Sequence, residues 1–323
     1  MNICSSLPGE HLWSVVARSL KWSGFTKESI ITAKYGLNNS QIKPSKGNCK
    51  NLDLLTQREE FCTLRNSGSS YPLWLLNFDN IETGIQELSS NQLSQARESQ
   101  VNLSANWRYC PICMEEDRSH YGTAYWHNAH NLPFVTHCTQ HNVSLVQVSG
   151  LKSISSLSMP NRLKSARIDT LGFSDDFQQW SHFVVAIYNT INEDYHSVAR
   201  LRNLIWDRFG PVPNAVSKRR DYFNELLVEF EAHVPRDLLK HCFQFYDGEK
   251  RRRSNILYTT YKRDGIQIRH PVYMLMILYW LQCEGTNVIN IICANSDEYA
   301  KQSSELLEST ANKIGNLKDE TPI

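Results

Sequence analysis

The sequence predicts a mostly α-helical protein with a small metal-binding unit in its middle, and three observations support this fold class. Apolar residues recur at helical spacing in residues 1–105 and again in residues 171–323. Cysteine and histidine pairs at metal-ligand spacing lie between these parts, in residues 106–148. A serine-rich stretch, residues 149–170, has little periodicity and is typical of a linker. We therefore expect a helical N-terminal domain, a zinc-finger-like unit, a linker and a helical C-terminal domain.

Composition indicates a globular protein of ordinary charge. The 323 residues are 41% hydrophobic and 21% charged, which is typical of a folded chain and not of a disordered one. The net charge is +1, from 34 Lys and Arg against 33 Asp and Glu, which excludes a polycation but not a local basic patch. No secretory signal is visible, the longest apolar run (272–281) is about half of a bilayer span, and the nine cysteines are scattered. We expect a protein of the bacterial cytoplasm, without a membrane partner.

The N-terminal part contains a candidate pair of short helices. Residues 10–21 are expected to form the first helix, and residues 27–35, capped by Thr26, the second. Two such helices around a turn with Gly24 match the spacing of a helix-turn-helix, although helical hairpins are common in any α protein. The apolar segment 70–76 is expected to pack against this pair. The buried face of the first helix is predicted to hold Leu12, Val15, Val16 and Leu20.

The C-terminal part is predicted to be helical from Ser174 onward. Ser174 is a candidate cap for a helix with Asp175 and Asp176 in its first turn, and a second helix is expected to stop at Gly210. Residues 221–231 and 236–246 form a possible helix pair, and Pro271 is expected to open a last apolar helix that ends near Cys283. The predicted core positions of the first two helices are Phe177, Trp180, Val184, Ile187, Tyr188, Ile191, Val198, Leu201, Ile205 and Phe209.

The most specific motif is a set of four metal ligands. Cys110 and Cys113 form a C-x2-C pair, and Cys138 and His141 form a C-x2-H pair after a gap of 24 residues. Two such pairs supply a tetrahedral Zn²⁺ site, and because the ligand set is closed the site is expected to be structural and not catalytic. The alternatives are sets in which His137, His130 or His127 replaces His141.

No catalytic motif accompanies these ligands. A zinc deaminase needs an H-x-E motif before P-C-x-x-C, and here H-x-E is absent and Pro111 follows the first cysteine of the pair. The H-E-x-x-H, G-x-S-x-G, P-loop and G-x-G-x-x-G motifs are also absent. We therefore expect a protein that is not an enzyme.

Several segments together resemble a known family. They are LPGEHLWS at 7–14 with Arg18, YPLW at 71–74, YCPICMEED at 109–117, the aromatic and histidine residues through 145, and RHPV at 269–272. This order resembles the TniQ/TnsD family, the target-selection proteins of transposons. The likeness covers residues 7–145 well and 174–283 loosely. It implies a non-enzymatic adaptor that marks a DNA target and recruits the AAA+ ATPase TnsC, with a homodimer as a further implication.

The family reaches its targets by two routes. One is direct binding to an attachment site, and the other is docking on the RNA-guided CRISPR complex Cascade, where guide pairing reads the sequence. The chain length and the net charge of +1 favour docking on Cascade. Its 8 Trp and 14 Tyr suit a protein interface, although aromatic residues also fill cores. A third possibility is a zinc-stabilised transcription regulator that reads DNA with residues 10–35.

Direct binding would need a cluster of cations, since phosphate contacts supply most of the affinity for DNA. Residues 216–270 contain 12 Lys and Arg against 8 Asp and Glu, a modest surplus of four, and charge runs of this kind are often solvated loops. The candidate nucleic-acid-binding residues are Lys218, Arg219, Arg220, Lys250, Arg251, Arg252, Arg253, Lys262 and Arg263.

Overall fold

The computed structural model confirms a mostly helical architecture. It describes residues 4–24, 67–80, 82, 84, 101, 106–148, 160, 174–244, 246, 255–261 and 268–291. The predicted second N-terminal helix, residues 27–35, lies outside this set, so the helix-turn-helix remains a prediction. Among the described residues, no helix combines the length and apolar character that a membrane crossing requires.

The N-terminal helix forms where the apolar spacing predicts it. Helix α1 (Leu12–Trp22) begins after His11, whose Nδ1 accepts a hydrogen bond from the Trp13 amide at 3.1 Å. Gly24 follows in the left-handed region at φ +71°, as expected of a helix stop. Burial is not confined to one face, because every residue from Leu12 to Leu20 is buried.

The metal-binding unit is a small α/β element. Strands β1 (Trp107–Tyr109) and β2 (Val146–Val148) pair antiparallel, with Trp107 opposite Val148. Helix α3 (Pro111–Tyr121) and the short helix α4 (Asn128–Asn131) lie between them in sequence. The hairpin therefore brings the two ends of the unit together and fixes the chain on both sides of the predicted ligands.

The short apolar segment before this unit lies against the C-terminal part of the chain. Its expected packing against the N-terminal helix pair stays a prediction, because residues 27–35 of that pair lie outside the described residues. Helix α2 (Tyr71–Trp74) continues as a 3₁₀ turn (Leu75–Asn77), and both pack against C-terminal helices. Arg202 fixes this contact by donating to the Leu76 carbonyl at 2.5 Å and by pairing with Asp79. Towards the N-terminal helix, the Leu12 amide donates a hydrogen bond to the Gly68 carbonyl at 2.8 Å.

The C-terminal part is an assembly of helices around one apolar helix. Helix α10 (Val272–Cys283) is buried on all sides from Val272 to Leu281 and packs against neighbouring helices of this part. Arg208 ties three elements together, since it pairs with Glu229 at 2.7 Å and Glu284 at 2.9 Å and lies 3.8 Å above the Trp280 ring. The other helices of this part are α5 (Asp175–Glu193), α6 (Ser197–Phe209), α7 (Val216–His233), α8 (Arg236–Cys242) and α9 (Ile256–Tyr261).

The predicted core positions of α5 and α6 are all buried, and the local departures have physical causes. Ser174 precedes α5, but its hydroxyl lies 3.2 Å from an oxygen of Asp176 and caps no backbone amide. Helix α7 begins five residues earlier than predicted, because its buried apolar positions start only at Phe223 and its first residue, Val216, is an exposed apolar side chain without a periodic partner. Helix α8 ends at Cys242, since the next residue, Phe243, is extended and forms a β-bridge with Val101.

Candidate metal centre

The first ligand pair is placed by the junction of β1 and α3. Cys110 follows the strand in an extended conformation and is the N-cap of the helix, with Pro111 in the first helical position. Cys113 lies one turn along, and the Met114 amide donates to the Cys110 carbonyl at 3.0 Å. The helix start therefore aims both thiols at one point.

The second pair is placed by a tight turn. The Cys138 amide donates to the Val143 carbonyl and the Asn142 amide to the Cys138 carbonyl, both at 2.9 Å. Asn142 takes the left-handed conformation at φ 54°, which asparagine tolerates better than most residues. This turn brings His141 back over Cys138.

The four predicted ligands come together as one cluster. Their ligand atoms all lie within 4.8 Å of one another, and the three cysteines are buried. The Sγ atoms of Cys113 and Cys138 are 3.7 Å apart, and Nδ1 of His141 lies 3.3 Å from Cys113 Sγ and 3.5 Å from Cys138 Sγ. A tetrahedron with Zn–S of about 2.3 Å and Zn–N of about 2.0–2.1 Å has S–S edges of about 3.8 Å and S–N edges of about 3.6 Å. The cluster therefore has the donor types and the size to hold a metal ion.

The thiols influence one another strongly in this cluster. Hydrogen bonds with Cys110 and Cys138 raise the pKa of the Cys113 thiol, whereas hydrogen bonds with Cys110 and Cys113 lower that of Cys138. Burial lowers the pKa of His141, but its hydrogen bonds with Cys138 and Cys110 outweigh this and raise it to about 9. Three thiols around one imidazole thus share protons, which a divalent cation would displace.

The other candidate histidines have different partners. Nε2 of His127 bonds to Asp117 Oδ2 at 2.9 Å, and the nitrogens of His137 lie 3.0 Å from Thr136 Oγ1 and 3.3 Å from Ser144 Oγ. His127 and His137 thus form hydrogen bonds within the unit. Nε2 of His130 lies 3.8 Å from Sγ of Cys113, but His130 is not among the four clustered candidate ligands.

Sequence reasoning missed the residue that orients His141. Glu116 Oε1 lies 3.2 Å from Nε2 of His141, the nitrogen that faces away from the sulfurs. A carboxylate in this position fixes the ring tautomer so that Nδ1 is the ligand atom. The signal was present, because Glu116 is three residues beyond Cys113 and so lies on the same side of α3.

Residues 7–14, the N-terminal motif, bind to the segment between the two ligand pairs through backbone hydrogen bonds. The His11 amide donates to the Trp126 carbonyl, and the Asn128 amide donates to the Gly9 carbonyl, both at 2.8 Å. The Trp126 amide in turn donates to Ser14 Oγ at 3.1 Å. These bonds join the start of the chain to the segment between the two ligand pairs.

A buried ion pair holds the motif in shape. Arg18 Nη2 lies 2.7 Å from Glu10 Oε2 and Arg18 Nε 3.1 Å from Glu10 Oε1, and the two side chains are 3% and 0% exposed. Glu10 also accepts from Ser14 Oγ and from the Leu7 amide, both at 2.9 Å. The motif residues that the sequence singled out are therefore structural.

A single amide joins the unit to both neighbouring parts of the chain. Asn128 Nδ2 donates to the Ser69 carbonyl at 3.2 Å and to the Tyr188 hydroxyl at 2.8 Å, and that hydroxyl donates to the Ser67 carbonyl at 3.0 Å. The amide of Thr136 bonds in the same way to Ser181 Oγ at 3.0 Å. The metal-binding unit is thus joined by hydrogen bonds to Tyr188 and Ser181 of the C-terminal helix α5.

The candidate cations on α7 differ in their surroundings. Lys218 and Arg220 are exposed, whereas Arg219 is half-buried and donates to the carbonyls of Pro213 and Asn214 at 3.0 and 2.7 Å. Arg219 therefore secures the start of its helix. The other candidates, Lys250, Arg251, Arg252, Arg253, Lys262 and Arg263, lie outside the described residues.

Comparison with known proteins finds a family that matches the part of the chain with the N-terminal motif and the four candidate ligands. Residues 3–145 match the family model TniQ. No curated protein matches the chain.

Proposed function

The chain is a TniQ-domain protein, with the domain over residues 3–145, and from that premise we propose that it is a non-enzymatic adaptor for transposon targeting. A TniQ domain marks a protein associated with target selection in transposition. In this proposal the adaptor docks on Cascade at the target DNA and recruits the ATPase TnsC. The family match is the observation that carries the proposal.

The proposal assigns a structural Zn²⁺ to Cys110, Cys113, Cys138 and His141. Zinc suits three thiolates and one imidazole, and four protein ligands leave no position for a substrate. The ion would hold β1, α3 and the 138–142 turn together, and these elements carry the segment on which the N-terminal motif docks. We expect the metal to stabilise the TniQ domain and to take no part in chemistry.

The net charge of +1 supports docking on a protein–RNA complex over independent reading of DNA. Of the three candidate cations that the structure describes, Arg219 is engaged by backbone carbonyls, which leaves Lys218 and Arg220 on the exposed surface. These two cations would by themselves neutralise few phosphates, and affinity for DNA grows with each phosphate neutralised. The six other candidate cations lie outside the described residues. In this account base pairing by the guide RNA supplies the specificity.

We place the contact with TnsC on the TniQ domain. Its described residues include three large apolar side chains that are exposed, which are Trp22 at 68%, Ile112 at 42% and Tyr121 at 44%. Aromatic side chains of this kind are enriched among the residues that dominate protein interfaces. Trp22 and Tyr121 are the strongest candidates.

Reconstitution with purified components tests the proposal. Cascade with guide RNA, target DNA, TnsC and the full-length protein would be mixed, and TnsC bound at the target would be measured. We expect Trp22→Ser and Tyr121→Ser to reduce TnsC recruitment, and the control Val228→Ser, at a valine 70% exposed on α7, to leave it unchanged. Recruitment to an attachment-site duplex without Cascade would instead indicate the direct route. DNA binding that no ATPase alters would indicate a transcription regulator.

A further inference from the structure

A buried imidazole, that of His130, lies beside the four candidate ligands. His130 is 4% exposed and lies on α4, outside the ligand set. Its Nε2 is 3.8 Å from Cys113 Sγ, a distance suited to a hydrogen bond to sulfur. Its other nitrogen, Nδ1, is buried and has no hydrogen-bond partner among the described residues.

These two contacts select one tautomer of the ring. A neutral imidazole carries one N–H and one lone pair. A hydrogen on Nδ1 would leave a buried donor unpaired and would direct the lone pair of Nε2 at an electron-rich sulfur. A hydrogen on Nε2 satisfies the donor with Cys113 and leaves only an acceptor unpaired, which is the less costly arrangement.

The net charge of the metal-loaded cluster explains why a hydrogen bond to Cys113 would be stabilising. Three thiolates and a neutral imidazole around a divalent cation carry a net charge of −1, and the three cysteines are buried. Buried thiolates of such a site need hydrogen-bond donors from the surrounding protein, because these donors stabilise their negative charge. Glu116 bonds to His141 and not to a sulfur. Among the described residues, the hydrogen-bond partners of Cys113 Sγ are Cys110, residues of the 138–141 turn, and His130.

We propose that His130 is a positioning residue of the metal centre, which donates its Nε2–H to the Cys113 thiolate and thereby tunes the affinity of the site. The inference rests on the proposed metal centre. His130 is not a ligand in this account, so the coordination remains three sulfurs and one nitrogen. The hydrogen bond stabilises the negative charge that the buried Cys113 thiolate carries in the loaded cluster, and this raises the affinity for the metal. It also lowers the energy of the sulfur lone pair, a smaller effect that sets the position of the charge-transfer band.

Cobalt binding by the full chain tests the proposal, with Co²⁺ as the probe. His130→Phe keeps a buried ring and removes the donor, and we expect Co²⁺ affinity to fall roughly 10–100-fold. The sulfur-to-cobalt charge-transfer band should move to longer wavelength, whereas the ligand-field bands should keep their positions. His130→Gln offers an amide donor and should recover part of both effects. The control is His137→Phe, because the ring nitrogens of His137 lie near hydroxyls and not near a ligand sulfur.

Each outcome separates this inference from the metal centre itself. The inference is wrong if His130→Phe binds Co²⁺ with the same affinity and the same charge-transfer band as the unsubstituted chain. Changed ligand-field bands in this variant would show instead that His130 is a ligand. If the unsubstituted chain binds no Co²⁺, the metal centre fails and the inference with it. Should His130→Phe not fold, ¹⁵N spectra of the zinc-loaded, histidine-labelled protein decide, since we expect the proton of His130 on Nε2. A proton on Nδ1 would contradict the proposal.

Discussion

Replacement of Arg18 by methionine should destabilise the TniQ domain by about 3–5 kcal/mol, the usual cost of removing one partner from a buried ion pair. Methionine keeps much of the aliphatic stem, so the loss is mainly electrostatic. The Glu10 carboxylate, whose side chain is 0% exposed, would lose both bonds from the guanidinium and keep those from Ser14 and Leu7. Urea unfolding followed by tryptophan fluorescence measures the loss.

A double-mutant cycle identifies the cause of this loss. Glu10→Gln in the Arg18→Met background removes the unpaired charge, so the double variant should be more stable than the sum of the single losses by at least about 1 kcal/mol. The matched control is Arg118→Met, since Arg118 pairs with Glu115 at 3.3 Å with both side chains more than half exposed. That pair should contribute less than about 1 kcal/mol. Equal losses for Arg18→Met and Arg118→Met would refute the reasoning.

Three further predictions concern the metal, the surface and acid. Cys138→Ser should release one equivalent of Zn²⁺ and unfold the middle of the chain, and a full equivalent retained on metal analysis would contradict the ligand assignment. Replacement of Lys218 and Arg220 by glutamine should leave the salt dependence of target binding nearly unchanged if Cascade supplies the DNA contacts, whereas a slope shallower by two would favour direct binding. Burial lowers the pKa of His270 to about 3, so the unfolded state takes up the proton first and stability should fall by about 1.4 kcal/mol per pH unit from about pH 6.5 toward 3. His270→Gln should therefore unfold at lower pH than the unsubstituted chain, and an unchanged acid midpoint would contradict this.

The sequence predicts the long helices well because their apolar spacing is unambiguous. The core positions of α5 and α6 repeat every three or four residues, and both helices form where this pattern lies. The first turn of α7 was not predicted because the buried apolar positions of this helix begin only at Phe223. The turn is secured instead by hydrogen bonds from Arg219 to backbone carbonyls, a contact that spacing cannot reveal. The end of α8 depends on a bridge between Phe243 and Val101, which are far apart in sequence.

The candidate site also has a part that local spacing predicts and a part that depends on residues far apart in the sequence. The clustering of the four candidate ligands was predictable from spacing, because each pair lies within one local turn. Their supports were not, since Asn128 acts through Ser69 and Tyr188, which are 59 and 60 residues away on opposite sides in the sequence. The resemblance identified Glu10 and Arg18 as family features without a role, and the structure supplies that role as a buried pair.

Affinity purification from cells that express the neighbouring operon tests the central claim most directly, with the bound RNA and proteins identified. The account predicts a stoichiometric guide RNA together with Cascade subunits, retained by the full-length protein. Specific retention of one duplex DNA site without RNA would contradict it and would make this protein a direct reader of an attachment site.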